Sequence, residues 1–176
     1  MPRSSLRSLI LSALVGSLAV ALTGASARAE STLVLTPSAG IENGGPAFGL
    51  NLRDFFLPNL AGEIDAGYGL SLCQDCQLSE TTLTGNLVYE IHPFEILSVF
   101  LVAGGGVGLL DLSSPQSGRT TLGLLDAGLG SRLFLTRHLS LTLEDRWFVP
   151  VSGALPGVQS GSLTADRIFL GVSTSF

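Results

Sequence analysis

The feature that most constrains this chain is a two-residue alternation of apolar with small or polar residues, repeated in eight separate segments. The last of them, "DRIFLGVSTSF", shows the pattern plainly. Ile168, Leu170, Val172, Thr174 and Phe176 share one parity; Arg167, Phe169, Gly171, Ser173 and Ser175 share the other. Successive side chains of a strand point to opposite faces, whereas a helix repeats every three to four residues. Period two over so much of the chain therefore predicts strands with two unlike faces. The segments run near 32–40, 46–55, 60–72, 81–91, 97–112, 120–135, 139–151 and 165–176. Most are about 10 to 13 residues, enough for a tilted strand to cross a bilayer.

The connections alternate in character. "FLPN", "HPFEI" and "TRH" read as tight turns; "IENGG", "CQDCQLSE", "SSPQSGR" and "SGALPGVQSGSL" read as longer and more polar. An even strand number with short and long connections in turn predicts an all-β, eight-stranded antiparallel up-and-down barrel, with both ends of the chain at the short-turn rim.

Alternation alone does not say which face is inside. A soluble carrier barrel would show the same period with its apolar side chains inward. One parity carries Leu50, Leu52, Ile64, Leu83, Leu87, Leu101, Leu141, Leu143, Ile168 and Leu170. The other carries Gly67, Gly69, Thr84, Asn86, Gly104, Gly106, Gly108, Thr142 and Ser173, with scattered single charges. A water-facing exterior would be rich in Lys and Glu, whereas small residues suit the tight bore of an eight-stranded barrel. The apolar face spans all eight segments, more surface than one small domain can hide. Aromatics gather toward segment ends: Phe48, Tyr68 and Trp147 near the long connections, Phe55, Phe56, Tyr89, Phe94 and Phe176 near the short ones. Two aromatic girdles mark the two lipid–water boundaries. The expected orientation is apolar outward, which makes this a transmembrane β-barrel.

The start of the chain agrees with export. Arg3 and Arg7 precede an apolar stretch from about Leu9 to Leu22, followed by small residues ending in Ala27-Arg28-Ala29. This pattern predicts a signal peptide over 1–29 and a barrel domain over 30–176; an uncleaved helical anchor is the alternative. Three of the nine basic residues lie in that leader, and the chain has no Lys. Six Arg against fourteen acids leave the rest at −8. Nucleic acid is excluded as a partner, since phosphate binding needs clustered cations.

With signal, hairpins such as "GLGSRLFLTRHLSLTLEDRWFV" and terminal "RIFLGVSTSF" together, the sequence resembles the small outer-membrane β-barrel superfamily of the OmpA/OmpX kind. The resemblance implies an outer-membrane location, lipid as the surrounding partner and a monomer. It also implies that Ile168, Leu170, Val172 and Phe176 are read by the outer-membrane assembly machinery. The roles it suggests are structural, envelope-maintaining or surface-interacting. A narrow pore for ions or small solutes and a soluble periplasmic lipocalin-like carrier are the alternatives.

On the inward parity lie Glu63, Asp65, Glu90, Asp126 and Glu144 with Arg53, Arg132, Arg146 and Arg167. Buried charges must be paired, and a guanidinium can satisfy carboxylates through two parallel bonds. These residues are read as a salt-bridge network filling the lumen. Arg53 with Glu63, Arg132 with Glu144, and Asp126 with Arg146 are expected at similar depth; an ion path or proton relay is the rival reading. Asp145 falls on the apolar parity, which a β-bulge in "EDRW" or a contact to another subunit would explain.

Cys73-Gln74-Asp75-Cys76 can be a redox pair, half a zinc site or a local disulfide. His92 and His138 both sit at the opposite rim, so further zinc ligands are missing, and a loop-bracing Cys73–Cys76 disulfide is the default. No cofactor is expected. Some small outer-membrane barrels are lipid-modifying enzymes that use a His with a Ser near the outer leaflet. No His falls on that half here, so catalysis is not expected. "GGGVG" at Gly104–Gly108 lies inside a strand with no Lys-Ser/Thr after it, and is not read as a phosphate loop.

Overall fold

The computed structural model describes residues 33–73, 76–112, 118–153 and 164–176, with backbone alone at 71–73 and 76–77. The candidate leader, the connections at 113–117 and 154–163, and the cysteine side chains lie outside the described residues, so the disulfide expectation does too. Eight strands follow one another: β1 Leu33–Glu42, β2 Gly45–Leu57, β3 Leu60–Cys73, β4 Cys76–Phe94, β5 Leu97–Leu112, β6 Gly118–Phe134, β7 Leu139–Ser152 and β8 Ala165–Ser175. Each pairs antiparallel with its sequence neighbour, and β1 pairs with β8 to close the barrel. At that seam Val34 faces Ser175 and Glu42 faces Arg167, and the Phe176 amide donates to the Leu33 carbonyl at 2.9 Å. Closure satisfies every strand edge, the condition for a sheet with no water to bond to.

The rim holding Leu33 and Phe176 is the lower rim. Its turns are short: Pro58-Asn59, Glu95-Ile96 and Leu135–His138. The last is fixed by Thr136 Oγ1, which accepts from the amides of His138 and Leu139 at 3.2 and 3.1 Å. Two upper-rim connections are shorter than expected. "IENGG" is a two-residue hairpin in which Asn43 and Gly44 take φ of 46° and 90°. Positive φ at both central positions is the type I′ signature, and Asn-Gly is its preferred pair. "CQDCQLSE" is mostly strand, because β3 and β4 stay in register up to Cys73 opposite Cys76. Polar composition had disguised a strand that continues above the apolar belt.

The upper rim consequently slopes. β4 has 19 residues, β6 17 and β5 16, whereas β1 has 10 and β8 11. The outward residues at the top of the tall side are mostly polar, Ser79, Thr81, Asp111, Arg119 and Thr121, with Leu109 in register between Thr81 and Thr121. Arg119 Nη2 meets Asp111 Oδ2 across β5–β6 at 2.9 Å.

Below that wall the exterior is mostly apolar, with exceptions at Asp145 and Asp166 on β7 and β8. Leu50, Ile64, Leu83, Leu87, Leu101, Leu125, Leu143 and Leu170 are exposed, Leu170 at 61%. The girdle aromatics Phe48, Tyr68, Tyr89, Phe94 and Phe176 are exposed as well. The interior is polar, with Arg53 and Arg167 at 0%. A soluble carrier barrel needs the reverse arrangement. Asp145 corrects one expectation: it pairs in register with Leu129 and Ile168, so no bulge turns it inward. The β6–β7 register shift lies instead at Gly123/Leu124.

Glycine sets the closeness of the seam. A Cβ on Gly40 would stand 1.8 Å from the Ile168 carbonyl oxygen of β8. Gly40→Ala should therefore lower stability by about 1–3 kcal/mol, measured by urea unfolding of the chain refolded in lipid vesicles. Gly85→Ala is the control: nothing lies within 4 Å of its Cβ position, so its unfolding curve should superimpose on wild type.

Candidate functional site

The bore is the site, and each strand supplies its inward parity to it. Arg53 on β2 faces Glu63 on β3 in the ladder, and its Nε and Nη2 donate to Glu63 Oε2 at 3.1 and 2.7 Å. Its Nη1 donates to Glu90 Oε2 on β4 at 3.1 Å. Glu90 also accepts from Arg132 Nη1 of β6 at 3.2 Å and from Ser98 Oγ of β5 at 2.5 Å. Four strands thus converge on one carboxylate. Phe100 rises between the two cations, 4.2 Å from Arg53 Cζ and 5.9 Å from Arg132 Cζ. A desolvated ring–guanidinium contact adds attraction of about 1–2 kcal/mol.

Above this group Arg146 crosses the bore from β7 to the opposite strand, β3. Its Nη2 donates to Glu63 Oε1 and its Nε to Glu144 Oε1 on its own strand. Its Nη1 donates to Asp126 Oδ2 at 3.2 Å and stands 3.7 Å from Asp65 Oδ1. With its amide turned so that nitrogen faces Asp126 Oδ1 and oxygen faces Arg146 Nη1, both at 2.9 Å, Asn86 joins the same cluster. Removing an ion from water costs several kcal/mol, and only this density of partners offsets it.

Arg167 lies directly opposite Arg146 in the β7–β8 ladder, yet turns to a different set. Its Nε donates to Glu42 Oε2 and its Nη1 to Thr82 Oγ1 at 2.7 Å, and its Nη2 stands 3.6 Å from Glu80 Oε2. Its Cζ lies 4.4 Å over the Phe148 ring. Leu110, Leu122, Leu124, Phe148 and Ala165 pack together as an apolar layer on the upper side. A hydroxyl chain, Thr36–Ser173–Thr142, links β1, β8 and β7 at 2.8 and 2.5 Å.

All nine charged residues singled out from the sequence face the bore and are buried. Eight of them form the lower group; Arg167 stands apart. Arg132 and Glu144 lie two ladder positions apart on the paired strands β6 and β7 but take different hydrogen-bond partners: Arg132 reaches Glu90 and Glu144 serves Arg146. Sequence reasoning missed Glu42 and Glu80, buried at 1% and 4%. Carrying the alternation two residues past Gly40 and one residue back from Thr81 would have reached both. It also missed the inward Phe100 and Phe148. His92, at the lower mouth, stacks on Phe134 with ring centroids 5.9 Å apart and lies 3.8 Å from Glu90 Oε1. Among the described residues no His, Cys, Asp and Glu cluster could hold a metal ion. Ile168, Leu170 and Val172 on β8 and Phe176 just after it are all exposed on the outer wall.

Arg146→Met should strand three carboxylates and destabilise the barrel by about 3–5 kcal/mol. Adding Glu144→Gln should restore part of the loss, since Arg146 is the cation that Glu144 pairs with and one uncompensated charge is removed. Urea midpoints of the two variants test this.

No family model and no curated protein matches the sequence. Solved structures do match. Neisserial surface protein A aligns over 84% of this chain and 98% of its own at 11% identity, with a TM-score of 0.70. The N-terminal β-barrel domain of Pseudomonas aeruginosa OprF aligns over 84% and 98% at 14% identity, TM-score 0.59. Ail, the attachment invasion locus protein of Yersinia pestis, aligns over 83% and 97% at 16% identity, TM-score 0.54. With its apolar exterior, ion-lined bore and eight-strand closure, the chain has the fold of the small eight-stranded outer-membrane β-barrels.

Proposed function

We propose that this protein is an integral barrel of the outer membrane with a structural, envelope-integrity or surface-interaction role, its lumen plugged by the Arg–carboxylate network. The observation that carries the reading is the inverted wall: leucines exposed around the belt while guanidiniums are fully enclosed. In water such an exterior would aggregate; in lipid it is the favoured arrangement. Export proceeds through cleavage of the 1–29 leader. The outward residues of β8 serve as the recognition strand for the assembly machinery, and the barrel works as a monomer surrounded by lipid.

A plug is favoured over a pore because the cations span the bore. Arg146 and Arg167 each reach from one wall to the strand facing it, and both are at most 1% exposed. An ion passing through would have to break several charge-assisted bonds at once. The surface-interaction branch draws on the tall polar wall of β4–β6. It also draws on likeness in fold to a protein named for the surface and one named for attachment. The role is not catalytic in this reading.

Envelope fractionation should put the chain in the detergent-extracted outer membrane, with different gel mobility before and after boiling. Recovery in the soluble periplasmic fraction would overturn the reading. In planar bilayers the wild type should give no large stable currents, and Arg146→Ala should weaken the barrel without opening a large conductance.

A further inference from the structure

We propose that the β1–β8 seam parts locally at Pro37, opening a window between the lipid and three hydroxyl groups of the bore. The inference rests on the wall standing in a membrane and is independent of whether the bore conducts.

Closure joins the first strand to the last, but two rungs of that pairing are missing. Val34 pairs with Ser175 and Leu35 with Thr174; pairing resumes at Ser38 with Gly171 and runs on to Glu42 with Arg167. The register is the same on both sides, so no residue is inserted. The rungs left out are Thr36 opposite Ser173 and Pro37 opposite Val172. Bonded pairs of an antiparallel ladder recur at every second residue. The Phe176 amide donates to the Leu33 carbonyl, which makes Leu35, Pro37, Ala39 and Ile41 the β1 residues whose backbone turns to β8. Proline has no N–H, so the Val172 carbonyl loses the donor that its place in the ladder calls for. In hydrocarbon no water replaces that donor. The other prolines among the described residues stand elsewhere. Pro46 is the second residue of β2, Pro58 lies in a turn, and Pro93 and Pro150 adjoin register shifts. Pro37 interrupts a ladder that is in register above and below it.

Side chains hold the strands together where the backbone does not. Thr36 Oγ1 and Ser173 Oγ, from the missing inner rung, lie 2.8 Å apart, and Ser173 Oγ meets Thr142 Oγ1 at 2.5 Å. All three residues are buried in the bore, whereas Pro37 and Val172 are exposed on the outer wall. The strands still touch: a Cβ on Gly171 would stand 2.8 Å from Thr36 Cγ2 and 2.9 Å from the Pro37 carbonyl oxygen. The wall is shut here but not latched by its ladder. Both ends of the gap are tied. Above it Arg167 pairs with Glu42, and the Asn43 amide donates to the Asp166 carbonyl at 3.4 Å. Below it the Phe176 amide holds the Leu33 carbonyl. From the Leu35 rung to the Ser38 rung is about 10 Å of strand, and parting is confined to that length. A window there offers the Thr36, Ser173 and Thr142 hydroxyls to a lipid-dissolved molecule without passage through either mouth.

The test is amide hydrogen exchange of the full chain refolded in zwitterionic lipid vesicles, wild type against Pro37→Val. Valine returns the N–H and keeps an apolar side chain on the outer wall. In the wild type the amides of Leu35, Val172 and Thr174 should exchange about tenfold faster than those at 84–88 and 102–106 in the β4–β5 ladder. Pro37→Val should slow the seam amides by about tenfold and leave the β4–β5 amides unchanged. A strand end that merely frays is indifferent to residue 37. Equal exchange at the seam and in β4–β5 of the wild type, or fast seam exchange that Pro37→Val leaves unaltered, overturns the inference. If Pro37→Val does not fold, Pro37→Ala gives the same comparison. A chain that does not float with the vesicles overturns the membrane reading and this inference together; one that floats with equal exchange overturns the inference alone.

Discussion

A guanidinium enclosed in a bore this narrow can find its counter-charge in one place, on the wall facing it. That constraint organises the molecule. Arg146 and Arg167 are neighbours in the β7–β8 ladder, so they cannot share partners without repelling. One turns to Glu63, Glu144 and Asp126; the other turns to Glu42, Thr82 and Glu80. Each crosses the lumen and holds opposite strands at a fixed distance. Register is enforced by the same pairs. A slip of one residue in β2, β6, β7 or β8 would turn its cation to the outer wall and an apolar residue to the bore, which neither side accepts.

The outer wall is the complement of this interior. Its belt is apolar because the strand period hands every second residue to the exterior. Two of its half-buried acids, Asp145 and Asp166, flank Trp147 on β7 and β8, with Asp166 facing Trp147 in the ladder. The larger departure is vertical. The polar residues on the upper halves of β4–β6 extend a regular sheet beyond the belt, which the short β1 and β8 do not.

Much of this was legible in the residues. Alternation locates all eight strands, and glycine on the polar parity marks the inner face. What was hidden was hidden for identifiable reasons. Asn43-Gly44 is a strong hairpin signal, but the flanking Glu42 and Gly45 made it look like a polar loop. The strand was therefore cut before it delivered Glu42 to the bore. The start of β4 is polar because it stands above the belt, and Glu80 was lost with it. The hairpin pattern sets Arg132 beside Glu144 on the adjacent strand. A long side chain in a closed barrel can instead reach across, and no pairwise reading of hairpins sees that distance. Phe100 and Phe148 break the small-and-polar rule because a cation that cannot be hydrated is well served by an aromatic face.

The β1–β8 seam carries a kinetic consequence. Seven of the eight pairings are hairpins between chain neighbours and can form as soon as both arms exist. The eighth joins Val34 to Ser175, almost the two limits of the described chain. Until it forms, two strand edges are bare. In hydrocarbon bare edges are intolerable, so partial barrels cannot accumulate as stable inserted species. Insertion and circularisation must then be a single late event. The opening arm waits in a compatible holding environment for the closing arm to arrive.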